Sequence, residues 1–536
     1  MAPAEQGSSA PARPKLVLGS LILVAAVANL NLSVANVALP DIGKSFDASQ
    51  TVLDLIAVGY SLGLAASVLW FGALGDRYGR KLMIVVGMGL TIPACLLAGF
   101  ASSSGVLFAA RLLGGLSAGM AYPTTLALIT ALWSGPARTK AIALWSALGG
   151  GIALLGPLLA GWLLEHFSWG SVFLVTLPLV ALALPMAILF VPSHVNETTE
   201  PVDNVGGFLS AVLVGSLIVA INFLPVPNQK TTALVLFAVA LVAAVVFIFR
   251  ERRTRVPLYD LRIAARPTFW VAALAGIIVF GSLMGAAYVS QQFLQNVLHY
   301  STLEAGAAIL PAGLVMVLVA PRSAKLVHDN GSRQTLLTGQ ALLVVAFLLM
   351  LLLWKEGIPY WEVALPYIFI GVGVGLSGTP SSNSLTGSVP VTRVGMASGT
   401  ADLQRDLGGA LMTSIFGALL TAGYASAMGS AIAQSGSHVT QSTQATLQLS
   451  FGSAEDLAAK HPQYAQQITA AAQSSFLKGD QWAYLAAMAA LLIGMGLVFR
   501  FFPKKEREEE LRTSFLAVDA VPTTAAPELQ SLPSAG

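Results

Sequence analysis

Long stretches without a single Asp, Glu, Lys or Arg constrain this chain more than any other feature. A bilayer core of roughly 30 Å takes about 20 apolar residues in a helix, because a helix satisfies its own backbone away from water. Residues 16–40 and 55–75 each give one span, and residues 82–137, with Arg111 as their one charge, hold two. Residues 141–164, 167–196, 204–229, 231–249, 267–303 and 305–321 each give one more. Residues 334–354, 363–392, 396–422 and 481–499 complete the set, the third of these interrupted by Asp402, Arg405 and Asp406. The expectation is an all-α membrane protein with fourteen transmembrane helices, residues 204–249 forming an inserted hairpin.

Composition agrees and excludes other classes. Charged residues make up 10% of the chain, against about a quarter in soluble domains. A cytosolic enzyme, a disordered regulator and a nucleic-acid binder are excluded on that ground. The single Cys, Cys95, permits no disulfide framework, and the six His show no metal-ligand spacing. No cofactor is expected, and no Ser/His/Asp grouping or phosphate-binding loop points to an enzyme.

The distribution of Lys and Arg sets the orientation. With the N-terminus in the cytoplasm, Lys44, Lys230, Lys355, Lys460 and Lys478 fall outside and Arg111 and Arg405 within the membrane, leaving 22 of the 29 in the cytoplasm. Both termini are then cytoplasmic, in a multi-pass protein. Residues 16–28 run on apolar to Pro40 and so read as a span rather than a cleaved leader. Residues 1–15 and 503–536 are expected to be disordered tails, 504–512 a solvated basic flank. Residues 424–480 read as an external surface loop, with a short amphipathic helix over 453–475; a cap over the outer mouth is the alternative.

Between spans 2 and 3 stand Gly72, Asp76, Arg77, Gly79, Arg80 and Lys81. The glycines allow a tight turn and close helix approach, and Asp76 can accept from an Arg or a helix N-terminus. Such a clasp holds two helices in one state and releases them in another. A weaker copy follows span 10, where Leu326 to Gly331 repeats the spacing of Leu74 to Gly79 and Arg333 falls where Lys81 does. An internal repeat implies two similar halves with a site between them. Residues 16–192 form one six-helix bundle, 193–266 the inserted pair and a basic loop, and 267–502 the second bundle.

With these motifs the chain resembles the major facilitator superfamily, in its 14-span drug:proton antiporter branch. Residues 72–81 are similar to that superfamily's loop 2–3 signature. Leu107, Arg111 and Gly115 resemble its fourth-span motif, where an Arg is linked to proton coupling. Gly156, Pro157 and Gly161 resemble the fifth-span exporter motif. Residues 394–399 and 405–409 resemble the branch's thirteenth span, and residues 36–40 the end of its first. The resemblance implies the major-facilitator fold, two six-helix bundles plus the inserted pair. The sequence departs from the pattern at Asn31, where an acid is usual, and at Gly114, where a Gln is usual. Asn31 cannot titrate.

Charged groups at membrane depth are costly unless paired or wet, so they are candidates for function. Asp402, Asp406, Asp54, Arg405 and Arg111 are the candidates for proton coupling. Arg111 must face a carboxylate, backbone carbonyls or a wet cavity. Asp402 and Arg405, three apart, share a helix face, with an ion pair anchoring the span as the alternative reading. Gly156 and Pro157 give a closely packed, kinkable span. Asn29, Asn31, Ser33 and Asn36 on span 1, Tyr288, Gln291 and Gln292 from spans 9 and 10, and Ser377, Thr379, Ser381, Ser382 and Asn383 on span 12 are the expected cavity lining. Phe280 and Trp270 are expected to pack or face lipid.

The reading is a secondary active exporter of a small amphipathic or lipid-like compound in the inner membrane of the cell, working by alternating access in the bilayer. It is monomeric and driven by protons through Asp402 and Asp406. A lipid or lipopeptide transporter on the same fold and a non-transporting sensor or scaffold are the rivals.

Overall fold

The computed structural model describes residues 11 and 13–519, apart from 49, 154, 194, 196, 225–228 and 435–438. At residues 36, 40, 50, 51, 54, 150, 153, 302 and 516–519 the backbone alone is described. The expectations for Asn36 and Asp54 therefore lie outside the described side chains, as does the tail beyond 519.

Among the described residues every regular element is helical. The first half holds α1 (Pro14–Phe46), α2 (Gln50–Tyr78), α3 (Arg80–Gly99), α4 (Ser104–Leu132), α5 (Gly135–Ala153), α6 (Gly156–His166), α7 (Ser171–Leu174) and α8 (Leu177–Phe190). A pair follows, α9 (Asn204–Phe223) and α10 (Lys230–Arg253), then a short α11 (Leu261–Ala264). The second half holds α12 (Pro267–Asn296), α13 (Thr302–Ala308), α14 (Leu310–Leu353), α15 (Tyr360–Gly387), α16 (Val394–Gln434), α17 (Gln441–Leu449), α18 (Phe451–Lys460) and α19 (Ala465–Phe501). Last comes α20 (Lys505–Asp519).

Twelve described stretches are long and apolar enough to cross a membrane. One of them, Leu303–Leu353, has 51 residues, too many for a single crossing of a core that takes about 20. It breaks at Gly331, whose φ of 85° and ψ of 163° are not helical. Gly79 separates α2 from α3 in the same way, at φ 110°. The repeat seen in the sequence thus falls on two glycines with positive φ, a region open to Gly at no steric cost.

Helix starts are fixed locally. Ser103 Oγ accepts from Val106 N–H ahead of α4, Asp203 Oδ1 from Gly206 N–H ahead of α9, and Ser301 and Glu304 cap each other's backbone at α13. Each meets donors that the first turn leaves unpaired. The first half packs around Leu21, Leu126, Ile142 and Trp145, the second around Phe293, Phe347, Phe416 and Leu491, all nearly inaccessible. The pair α9–α10 sits outside α2, where a Cβ on Gly207 would strike the Trp70 ring. On α10, Leu241, Val242 and Val245 are exposed, as a lipid-facing surface requires. Between the halves, Ala143 and Ala147 of α5 meet Ala320 and Ala324 of α14.

Two expectations are corrected. The described residues of 424–480 are not a surface loop: α17 and α18 fold back over the ends of α16 and α19. Tyr424 Oη donates to the carbonyls of Leu447 (3.0 Å) and Ser450 (3.2 Å), and Phe451 packs edge-on to Phe476. The amphipathic stretch buries Phe451, Ala454 and Ala458 along one face and ends at His461–Pro462, where the next helix begins. Residues 505–519 are not a disordered tail either. They form α20, because Glu508, Arg512 and Phe515 recur at helical spacing and each finds a partner.

Candidate functional site

A cavity of about 150 Å³ lies between the two halves. That is roughly ten times the space one water needs. α1 contributes Asn29, α4 Tyr122, α5 Ser146, α12 Phe280 and Met284, α15 Thr379, and α16 Asp402, Arg405 and Asp406. The rest of the wall is mostly aliphatic, as expected of a pocket for an amphipathic guest.

α16 brings its three charged groups to this wall together. Asp402 is 1% exposed, and both its carboxylate oxygens, with Asp406 Oδ2, are buried and without a hydrogen-bond partner among the described residues. Arg405 forms no ion pair with either acid among those residues. Its guanidinium lies 4.9 Å from the Phe280 ring centre, 5.3 Å from Trp145 and 5.5 Å from Tyr122, and donates to Ser146 Oγ at 3.3 Å. Aromatic faces attract a desolvated cation by about 2 kcal/mol, so three rings share in holding this guanidinium. The anchoring ion pair is thereby replaced by an aromatic cage, and Phe280 is a cavity residue rather than a lipid-facing one. A carboxylate this buried and without a donor is stable only when a proton, a cation or water meets it.

Arg111 lies elsewhere. It is 3% exposed, donates to the Asn31 carbonyl at 2.8 Å, and faces the rings of Tyr60 at 4.8 Å and Phe173 at 5.7 Å. It ties α4 to α1 and is not on the cavity wall. The Asn31 side chain donates to Cys95 Sγ at 3.4 Å, so it too points away.

Most of the expected polar lining is used for packing. Asn29 is on the wall and donates to the Gly149 carbonyl at 3.0 Å. Ser33 donates to the Leu30 carbonyl, Gln291 to the Ala305 carbonyl, and Ser381 to the Ala272 carbonyl and Gln404. Ser377 packs on Gly339. Tyr288 is 39% exposed beside Gly417. Gln292 is partly exposed on α12 and is not on the wall. Asn383 opens into a different cavity. On α15 Ser377 and Ser381 turn to neighbouring helices, while Gly371, Gly375 and Gly378 line the cavity; polarity alone does not reveal which face looks inward. Tyr122, Ser146, Met284 and Met316 were missed, since apolar and small residues inside spans carry no sequence signal for a wall.

The clasp lies at the basic face of the bundle. Gly72 of α2 meets Gly395 of α16 backbone to backbone, where a Cβ on Gly72 would stand 2.7 Å from the Gly395 oxygen. Asp76 Oδ2 accepts from Gly395 N–H at 2.7 Å, at the positive end of α16. Its Oδ1 pairs with Arg80 at 2.8 Å. Arg80 also donates to the carbonyls of Val391 (2.7 Å) and Val195 (3.3 Å). Arg77 donates to the Thr198 carbonyl and Lys81 to that of Ile188.

The second copy is completed from outside the motif. Glu508 of α20 accepts from Ser332 N–H at 3.2 Å and Ser332 Oγ at 2.7 Å, and Lys505 packs on Gly331. Arg333 donates to the Phe499 carbonyl. Toward the opposite face, Gly156 lets Ser33 approach closely, and Pro157 stands near Gly306 of α13.

The comparisons fit this architecture. Residues 21–413 match the family model described as Major Facilitator Superfamily. The multidrug efflux pump LfrA of Mycolicibacterium smegmatis is 30% identical over 78% of this chain and 82% of its own. The multidrug resistance protein Stp of Mycobacterium tuberculosis is 30% identical over 89% of each. The crystal structure of the human organic anion transporter MFSD10 superposes with a TM-score of 0.58 at 15% identity, over 90% of this chain and 99% of that one, a likeness of fold. A helical bundle with an inter-half cavity, a paired-glycine clasp and relatives named as efflux pumps leads to one assignment: this multi-pass membrane protein is a transporter, not an enzyme, and belongs to the Major Facilitator Superfamily.

Proposed function

We propose that the chain exports small amphipathic drug-like compounds in exchange for protons, with its basic face in the cytoplasm of the inner membrane. Relatives named as multidrug pumps support the drug-exporting part. The observation that carries the coupling is the Asp402 carboxylate and Asp406 Oδ2, buried without a hydrogen-bond partner among the described residues, on the wall of the inter-half cavity that Asn29 also lines. Protons reach them while the cavity faces outward. A substrate entering from the cytoplasm or inner leaflet meets the same acids after the clasp at Asp76 and Gly395 has released. Arg405, in its aromatic cage, forms no ion pair with either acid among the described residues, which leaves their carboxylates to the exchange.

The membrane layout we infer has fourteen crossings. Dividing the 51-residue stretch at Gly331 adds one to the twelve, and counting α5 with α6 as one broken crossing adds another. α9 and α10 are then the inserted hairpin, and both termini share the basic face. Residues 16–192 and 267–502 rock about the cavity between them.

Reconstituted protein under an imposed pH gradient tests the reading. Uptake of a fluorescent cationic dye should follow the gradient and be lost in Asp402→Asn and Asp406→Asn. Gradient-independent movement of lipid, or dye transport undiminished in the double variant, would overturn it.

A further inference from the structure

A second cavity, of about 170 Å³, lies at the basic face under α20. Its wall includes Asn383 near the end of α15, Arg138 at the start of α5, and Lys505, Glu508 and Arg512 of α20. Asn383 is 1% exposed, yet neither its Nδ2 nor its Oδ1 has a partner among the described residues. Arg138 Nε and Arg512 Nη2 are likewise buried and unbonded. A Cβ built on Gly387 would stand 3.2 Å from Nη2 of both arginines, so the two nitrogens are within about twice that distance of each other. Arg512 Nη2 forms an ion pair with Glu508 Oε1 at 3.5 Å but no hydrogen bond, and that oxygen also accepts from Ser332 Oγ at 2.7 Å.

The recess sets Arg138, Lys505 and Arg512 against Glu508 and Glu509, one cation in excess, and its unbonded guanidinium donors beside a buried amide suit an anion with several acceptor oxygens. Planar guanidinium forks match phosphate geometry two bonds at a time. Basic pockets between membrane helices on the cytoplasmic side are suited to anionic headgroups. We propose that this cavity binds a phosphate group, with Arg138 and Arg512 as paired donors and the Asn383 amide as a third. The group is carried by an anionic lipid or is free phosphate. Arg138 belongs to the first half, whereas Arg512 sits on a helix docked to the second through Glu508 and Ser332. A bound phosphate therefore joins the halves on the face where the Asp76 clasp also closes, and it favours the clasped arrangement. This site is separate from the central cavity and stands or falls independently of proton coupling.

The test uses the purified full chain in micelles, titrated separately with short-chain phosphatidic acid, short-chain phosphatidylcholine and inorganic phosphate, with thermal unfolding as the readout. Phosphatidic acid should raise the midpoint and phosphatidylcholine should not; a matching response to inorganic phosphate identifies the free anion as sufficient. Arg138→Gln and Arg512→Gln should each weaken binding about ten-fold or more, while Lys355→Gln on the opposite face leaves it unchanged. Arg512 lies on the partly exposed terminal helix, so its variant keeps the test decisive if Arg138→Gln fails to fold. No response to either phosphate probe, or full-strength binding in Arg512→Gln, overturns the proposal.

Discussion

Asp76 serves both halves of the molecule at once: Oδ1 pairs with Arg80 on its own side at 2.8 Å, and Oδ2 takes the Gly395 backbone N–H across the interface at 2.7 Å. Arg80 is also nearly inaccessible, its side chain 2% exposed. Removing one member of a buried pair leaves the other uncompensated, at a cost of about 3 kcal/mol. Asp76→Asn should therefore lower stability by that order in denaturant titrations. It should also speed hydrogen exchange in the first turn of α16, whereas an unchanged exchange rate at Gly395 would show that the contact does not hold the interface.

The glycine pair offers a sharper contrast. A methyl on Gly72 would stand 2.7 Å from the Gly395 oxygen and 3.0 Å from its carbonyl carbon, both backbone atoms that cannot swing aside. Gly89 has nothing within 4 Å of the same position. Gly72→Ala is expected to cut dye transport at least about ten-fold, the size of effect that losing about 1.4 kcal/mol of interface energy gives. Gly89→Ala should leave transport within two-fold, about 0.4 kcal/mol on the same scale. Equal effects of the two substitutions in one transport assay would refute the clasp.

Phe280 is the nearest of three rings around Arg405, at 4.9 Å. In Phe280→Ala the guanidinium loses part of its cage and relaxes toward Asp406, one residue on. Gradient-driven exchange should drop about ten-fold, in line with about 1–2 kcal/mol of cation–π attraction. Phe280→Trp should retain it. The comparison is read as dye efflux at a fixed pH difference.

Asp203 links the inserted pair to itself, accepting from Gly206 N–H at 2.9 Å and pairing with Arg250 at 2.7 Å. Burial pushes its carboxyl upward, but the Arg250 and Gly206 hydrogen bonds outweigh that and hold it below the usual carboxylate range. A group depressed on folding stabilises the fold above its unfolded value, about 3.9 for Asp, and loses that contribution as pH falls through the lower folded value. The melting difference between the wild type and Asp203→Asn should thus be full at neutral pH and vanish progressively below about pH 4. A difference that grows on acidification would be the wrong sign.

The helical class, the charged cluster on α16 and the motif at residues 72–81 were legible because each depends on local sequence: charge-free length, i to i+3 spacing, paired glycines. What escaped was direction. Ser377 and Ser381 look like cavity residues in sequence, yet they pack toward α14 and α12, because small hydroxyls allow close approach as readily as they bind solutes. Phe280 was misjudged for the converse reason: an aromatic ring in a span faces lipid, core or a cation, and only the arrival of Arg405 from residues far along the chain decides which. The terminal helix was missed because its apolar content is low; its order comes from Glu508 meeting an amide at Ser332.

That borrowed carboxylate has a practical consequence. The first half pairs its turn with an acid from the same loop, Asp76 with Arg80, and ties it further to the carbonyls of Ile188, Val195 and Thr198. The second half must wait for residues some 176 positions later, as the separation of Ser332 and Glu508 records. A chain shortened to Pro503, or a bulky reporter fused directly after it, would leave the Gly331 corner uncapped during biogenesis, and such a protein would insert normally yet finish assembling one bundle without its last fastening.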